Sequence, residues 1–439
     1  MSERELLLNA FRPGSAIQLP SQFAGRKREI SSLVDTLYID GACPIIFGER
    51  GLGKSSLVLQ LQRIALGDVE LLEELGIPDR ALPAHARFVT FSFTCTDGTS
   101  TKDELLQRLI NTAEGFTDAT ALPGTTLETK KRTKTIKLKF YEHQVEETHR
   151  AAAGRRRFKR LSVEEKFEAI TNQINEETKS KVLYIIDELD RVKDTKGFAS
   201  VIKNLSSTDV KFCLVGVGQN VSALLHDHAS LERTLVEVRV SQMNATDTAM
   251  IISKAIGFLK ESGLAMNFTP DAQKHVVDAS VGFPWFVHTI GLECLRRVFD
   301  EGQRTVEVPD VDAAIDMLGG RQFAQQFYDV YQMAVRDSSQ REIVLRLFAL
   351  WSGFDIPTSE LYSIAEGLGV TNPSAVATQL TTQKYGRVLV RPPYADSSVF
   401  RFHNAMFKQY INLRASIYLG VKDGVNKAWD ERWKPAGNA

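Results

Sequence analysis

The stretch "GERGLGKSS", residues 48–56, constrains this chain more than any other. It spaces glycine, lysine and hydroxyl as Gly48-x-x-x-x-Gly53-Lys54-Ser55. Glycines let backbone N–H groups turn inward around phosphate oxygens, where a Cβ would obstruct them. Lys54 would reach the β- and γ-phosphates, and the Ser55 hydroxyl would hold Mg2+. The expected nucleotide cradle is therefore Gly48, Glu49, Arg50, Gly51, Leu52, Gly53, Lys54, Ser55 and Ser56. Read without its flanks, the stretch could be a Gly-rich surface loop with a stray lysine. The flanks argue otherwise. "CPIIF" (43–47) reads as a short buried strand, and "SSLVLQLQRIAL" carries Leu57, Leu61 and Ile64 at helical spacing. Strand, loop and helix in that order aim a helix N-terminus at the phosphates.

Four further runs read as strands: "RFVTFSF" (87–93), "VLYII" (182–186), "KFCLVGV" (211–217) and "TLVEVRV" (234–240). Most are almost continuously apolar, as in a parallel sheet covered on both faces. With helical patterns between them they predict an α/β doubly wound core on a parallel sheet. The chain of 439 residues is long enough for two to three domains at roughly 150 residues each. The expected division is a P-loop core over 1–243, with an insertion at about 118–160, then a helical lid over 244–320. A winged-helix-like domain is expected over 321–439. The lid rests on four helical segments, with Asp247, Thr269 and Asp310 as expected helix starts. The last domain rests on three helical segments from 338 onward, followed by "RVLVRPPYADSSVFRFHN" as a hairpin.

The formal net charge is zero, so only the distribution of charge speaks to partners. Residues 130–160 carry twelve Lys or Arg against three Glu. This is either a solvated insertion or a surface for nucleic acid or an acidic protein, since clustered cations gain affinity through counterion release. "TIKLKF" inside it alternates like a strand. No apolar run reaches the ~18 residues a membrane span needs, and the N-terminus shows no cleavage pattern, so a cytoplasmic protein is expected. Cys43, Cys95, Cys213 and Cys294 are far apart with no C-x-x-C pair, which suits buried free thiols.

"VLYIIDELD" supplies the second half of a phosphate site. An apolar strand delivers Asp187 to its C-terminal end, where open α/β sheets bind ligands. Asp187 would bind Mg2+ directly or through water, and Glu188 would orient and polarise the attacking water. The alternative is a strand end with acidic turn residues. Asp190 would be structural, or would pair with Arg191 or another cation. After the fourth strand, Gln219, or failing it Asn220, could hydrogen-bond the water or the γ-phosphate. Arg233, just before the fifth strand, could reach a neighbouring subunit's γ-phosphate. It could equally be a solvent-facing arginine beside Glu232.

Together "GERGLGKS", "YIIDELD" and the upstream "FAGRKREI" (23–30) resemble AAA+ and STAND-type P-loop ATPases. The nearest subgroups are the Orc/Cdc6-like and archaeal or bacterial AAA ATPases. Gly25, Arg26 and Glu29 match the box those families carry before the first strand, which implies that Arg26 contacts the nucleotide near the adenine. "NAFRPGSAIQLPSQFAGR" is similar to the lead-in of bacterial members. The resemblance spans about residues 9–300 and implies a P-loop parallel sheet of the ASCE type, and a C-terminal winged helix fits the same architecture. It departs in the lid, where "GFPWFVHT" has Trp285 near the usual sensor 2 arginine. Arg296 or Arg297 could substitute, and His288 reads as a packed helix residue.

The expected function is an ATP-binding and ATP-hydrolysing molecular switch that acts on DNA or in a DNA-linked complex. Its cofactors are ATP and Mg2+, with a nucleotide-dependent homo-oligomer and a protein partner also expected and no membrane involved. The rival is a nucleotide-stabilised scaffold with little turnover, which the intact Asp187-Glu188 pair disfavours. A metabolic kinase is disfavoured because no second substrate pocket is evident. ATP is preferred to GTP by the resemblance, and no guanine-binding NKxD motif appears.

Overall fold

Five apolar runs become five parallel strands. A computed structural model describes residues 2–114, 162–217, 233–319, 325–351, 355–392 and 398–414. The basic segment 130–160, Gln219 and Asn220 lie outside the described residues. In chain order the first half reads α1 (Glu3–Ala10), α2 (Lys27–Tyr38), β1 (Cys43–Gly48), α3 (Lys54–Ala65), α4 (Glu70–Glu74), β2 (Phe88–Thr94), α5 (Lys102–Glu114), α6 (Val163–Thr178), β3 (Lys181–Asp187), α7 (Phe198–Leu205), β4 (Val210–Val217) and β5 (Leu235–Arg239). The strands pair in the order β2-β3-β4-β1-β5. Each pairing is parallel.

The chain divides into two compact units. The sheet unit comprises Ala16–Gly48 and Gly53–Ser241. One face of its sheet carries Val182, Tyr184, Ile186, Phe212 and Leu214, buried against Leu105, Leu109, Phe167, Ile170 and Phe198 of α5, α6 and α7. Leu183, Ile185, Cys213 and Val215 alternate with these and are also buried. Both faces are thus covered, which is why the strands show little polar alternation. Tyr184 sits at the centre, its ring stacked on Phe91 and Phe212 with centroids 5.4 and 5.5 Å away. Its hydroxyl lies 2.8 Å from Thr171 Oγ1. The register pairs Thr94 with Asp187 and Gly48 with Val217, so four strands end along one edge.

The other unit comprises Met1–Ser15, Glu49–Leu52 and Gln242–Ala439. Its helices are α1, already given, then α8 (Ala245–Glu261), α9 (Pro270–Ser280), α10 (Pro284–Asp300) and α11 (Val308–Gly319). The short strands β6 (Asn267–Phe268) and β7 (Thr305–Val306) pair in parallel. The helix starts differ slightly from the sequence expectation. Asn244, not Asp247, caps α8, and its side chain accepts from the Asp247 N–H at 2.8 Å. Thr269 caps α9 as expected. Asp310 lies inside α11, where its carboxylate accepts the Glu307 N–H at 2.9 Å. The N-terminal segment packs on α10. A Cβ on Gly291 would fall 2.5 Å from the Phe11 ring, so only glycine admits that ring.

The rest of this unit is α12 (Gln325–Val335), α13 (Ser339–Leu350), β8 (Ile356–Pro357), α14 (Ser359–Gly367), α15 (Pro373–Gln379), β9 (Leu389–Val390), β10 (Val399–Phe402) and α16 (Ala405–Arg414). The three strands form an antiparallel sheet in the order β8-β10-β9. A buried network fastens α12 to α13. Tyr331 OH donates to Glu342 Oε1 at 2.6 Å, and Arg346 Nε donates to the same oxygen at 2.9 Å. All four cysteines are buried and free. Among the described residues no helix is long and apolar enough to cross a membrane.

Candidate functional site

The glycine-rich loop follows β1 and ends in α3. Gly53 is the N-cap of α3 with φ +88°, a left-handed conformation that costs a residue with a Cβ. That turn starts α3 directly at Lys54 and Ser55, so the first-turn N–H groups of the helix lack intrahelical acceptors. An anion is the natural complement of such an end. Lys54 is half-buried, and its Nζ donates to the Gly48 carbonyl at 2.8 Å. Ser55 is exposed, and Ser55 Oγ donates to Asp187 Oδ2 at 3.3 Å. The fold therefore brings the loop after β1 and the end of β3 together across 132 residues of chain.

Asp187 is fixed by its other oxygen, which accepts the Glu188 N–H at 2.7 Å. A hydroxyl beside a carboxylate is a hard oxygen donor pair, the kind that suits Mg2+. Glu188 has φ +54°, rare for a residue with a side chain. The turn that follows is a single 3-10 turn, Leu189–Arg191. With three residues per turn, positions 188 and 191 eclipse. Glu188 Oε2 accordingly meets Arg191 Nε at 2.6 Å. Arg191 also reaches Asp97 with Nη1 at 3.0 Å. The flanking acids hold this guanidinium above its ordinary pKa, with Glu188 the main cause.

Asp190 is structural, one of the roles expected for it: its Oδ1 accepts the Val217 N–H at 2.9 Å and so ties the end of β4 to the turn after β3. Ser56, expected in the cradle, accepts the Ile17 N–H on its hydroxyl at 3.0 Å. Arg26 is buried at φ +62°, and its guanidinium pairs with Glu29 at 2.7 Å. Arg233 is exposed in the turn leading into β5. Arg50 is exposed, Glu49 half-buried and Leu52 buried. In the helical unit the Trp285 N–H faces the Gly51 carbonyl at 3.5 Å, and the Trp285 ring packs on Phe286 and Phe327. Arg296 is paired with Glu293, and Arg297 with Glu301 and Asp310. His288 is a packed residue, as expected. Burial holds its pKa down at about 4, and its Nδ1 accepts the Arg12 N–H at 3.3 Å.

The Arg191 bridge was missing from the sequence reading. Its signal was the i,i+3 spacing of Glu188 and Arg191, legible only once the turn is known to be 3-10.

Residues 40–225 match the family model described as an AAA domain. The matched segment holds β1 to β4, the glycine-rich loop and the Asp187-Glu188 pair. No curated protein matches the chain. Among solved structures, the Aeropyrum pernix ORC2 protein, solved with ADPNP and ADP, is similar at 12% identity and a TM-score of 0.48, over 97% of this chain and 98% of that one. Drosophila ORC bound to DNA is similar at 14% identity and a TM-score of 0.41, over 94% and 92%. The Thermotoga maritima RuvB Holliday junction branch migration motor is similar at 13% identity and a TM-score of 0.40, over 87% and 93%.

Proposed function

We propose that the AAA domain of this chain binds ATP with Mg2+ and hydrolyses it, and that turnover drives a DNA-linked molecular switch. The observation that carries this reading is the hydrogen bond between Ser55 and Asp187, which joins the phosphate loop to the acidic strand end. In this reading the backbone of Gly48 to Lys54 cradles the phosphates, and Lys54 leaves the Gly48 carbonyl to meet their charge. Ser55 and Asp187 hold Mg2+, which supplies charge neutralisation on the phosphate oxygens when bound. Glu188 accepts a proton from, or polarises, the water that attacks the γ-phosphorus. Arg26, ordered by Glu29, borders the base. Gln219 contacts the water or the γ-phosphate, and Arg233 serves a neighbouring subunit.

The DNA link rests on two features. Residues 338–414 run helix, short strand, two helices, then two strands, with a sheet order β8-β10-β9, which we read as a winged helix. Residues 130–160 add the cationic run.

The test is a pair of variants. Lys54→Ala should abolish tight Mg·ATP binding in calorimetry, since the phosphates lose their main cation. Glu188→Gln should bind ATP as the parent does and lose hydrolysis. Parent-like affinity in the first variant would overturn the cradle. Binding without turnover in the parent would leave the scaffold reading instead.

A further inference from the structure

The N-terminal segment divides between the two units, with Met1–Ser15 in the helical one and Ala16 onward in the sheet one. Each side of that division is anchored. On the helical side Phe11 is 1% exposed. Its ring lies where only the missing side chain of Gly291 admits it, and it packs edge-on against His288 with centroids 6.0 Å apart. Arg12 donates its backbone N–H to His288 Nδ1 at 3.3 Å. On the sheet side Ile17 is 6% exposed. Two side chains of α3 hold both of its backbone groups. Ser56 Oγ accepts the Ile17 N–H at 3.0 Å, and Gln60 Nε2 donates to the Ile17 carbonyl at 2.9 Å and to the Gln18 carbonyl at 3.2 Å. Positions 56 and 60 are four apart and so share one face of the helix. Gln60 is fully buried, and its Oε1 has no hydrogen-bond partner among the described residues. A buried acceptor left unpaired is costly, and a methionine of similar volume would avoid it. What the glutamine supplies in return is its grip on the two carbonyls.

Only residues 13–16 separate the two anchors in the chain. One anchor grips α3 at Ser56, next to the Ser55 that meets Asp187. The other grips α10. Resting on the nucleotide-binding reading above, we propose that residues 11–17 form a strap that couples occupancy of the phosphate loop to α10. Phosphate at the N-terminus of α3 fixes the first turn of that helix, which carries Ser56. The fixed turn restrains Ile17, and the four-residue tether passes the restraint to Phe11 and Arg12 on α10.

Hydrogen exchange of α3 and α10 tests the strap, measured with and without a saturating non-hydrolysable ATP analogue and Mg2+. One variant inserts Gly-Ser-Gly-Ser between Gly14 and Ser15, and the other is Gln60→Met. Gly14 and Ser15 are exposed, and nothing lies within 4 Å of where a Cβ on Gly14 would stand, so the insertion lengthens the tether and leaves both anchors in place. In the parent the analogue should slow exchange in α10 by about fivefold or more, the lower end of a coupling between two sites. The lengthened chain should keep the slowed exchange of α3 and lose that of α10, while its α10 without nucleotide exchanges as the parent's does. Gln60→Met, which loosens the grip of α3 on Ile17, should reduce the α10 response in the same direction. A role confined to packing would instead move α10 exchange without nucleotide and leave the response intact. A response in α10 that survives the insertion would overturn the strap and leave the Trp285 N–H on Gly51 as the carrier. An α10 that ignores the analogue in the parent while α3 responds would also overturn it, with nucleotide binding still standing. No response in either helix of the parent would overturn the nucleotide-binding reading and the strap with it.

Discussion

At the scale of single residues, the sheet unit holds a polar pair at its centre. Tyr184 is fully buried among Phe91, Phe167 and Phe212. Thr171 donates its hydroxyl proton to Phe167 O at 2.8 Å, which leaves the Tyr184 phenol as donor to Thr171 Oγ1. Burial raises the phenol's pKa, so it stays protonated and needs an acceptor. Thr171→Val removes that acceptor at constant volume and should cost about 1–3 kcal/mol in urea unfolding, the penalty of an orphaned buried donor. Tyr184→Phe in the Thr171→Val background should recover part of that loss, because no donor then remains to satisfy. Additive losses in the double variant would show that packing and not the hydrogen bond carries the effect. The sequence offered Tyr184 only as an apolar position. Its partner is thirteen residues away on a helix, and nothing in the strand pattern marks a hydroxyl that must be paired.

At the scale of elements, the five strands were legible because burial on both faces writes a continuous apolar run, and all five appear within two residues of where the runs lie. The glycine loop and Asp187 were legible because chemistry fixes their spacing. The Glu188–Arg191 bridge, the Val217 partner of the structural Asp190 and the docking of Phe11 on Gly291 were not, since each depends on a turn geometry or a long-range approach that periodicity does not encode. His288 shows what such an approach does. It is buried on α10, with the Arg12 backbone N–H donating to Nδ1, and burial first, then the Arg12 charge, lowers its pKa from 6.5 to about 4. A histidine whose folded pKa is depressed contributes its full stability above the unfolded value. That contribution is lost as pH falls from about 6.5 toward 4, because the unfolded chain takes the proton first. The loss should reach about 3 kcal/mol at pH 4, at roughly 1.36 kcal/mol per pH unit. His288→Gln keeps an acceptor for the Arg12 N–H without titrating. Thermal melts between pH 7 and 4.5 should therefore show a shallower decline for this variant than for the parent. Parallel curves would mean that His288 is solvated or already protonated in the folded chain.

At the scale of the whole molecule, the open question is what the proposed ATP cycle acts upon, and the charge distribution supplies the argument. Positive and negative side chains balance over the full chain, yet residues 130–160 hold twelve cations against three Glu. The rest of the chain therefore carries 42 Lys or Arg against 51 Asp or Glu, and this net negative charge disfavours phosphate elsewhere, so the attraction is concentrated in one stretch. If that stretch tracks a phosphate backbone, neutralising Arg155, Arg156 and Arg157 together as glutamines should weaken DNA binding. The loss should be similar across unrelated duplexes, because phosphate contacts carry no base information. The slope of log affinity against log salt should become shallower by about 0.9 for each duplex contact removed. ATP affinity should stay at the parent value, since the segment holds none of the loop residues, Asp187 or Glu188. A loss confined to one DNA sequence would instead point to base reading, and so to the helices of the C-terminal segment. Absence of DNA binding by the parent at low salt, with and without ATP, would remove nucleic acid from the account. The cationic segment would then face an acidic protein, and residues 338–414 would serve as an internal regulatory domain.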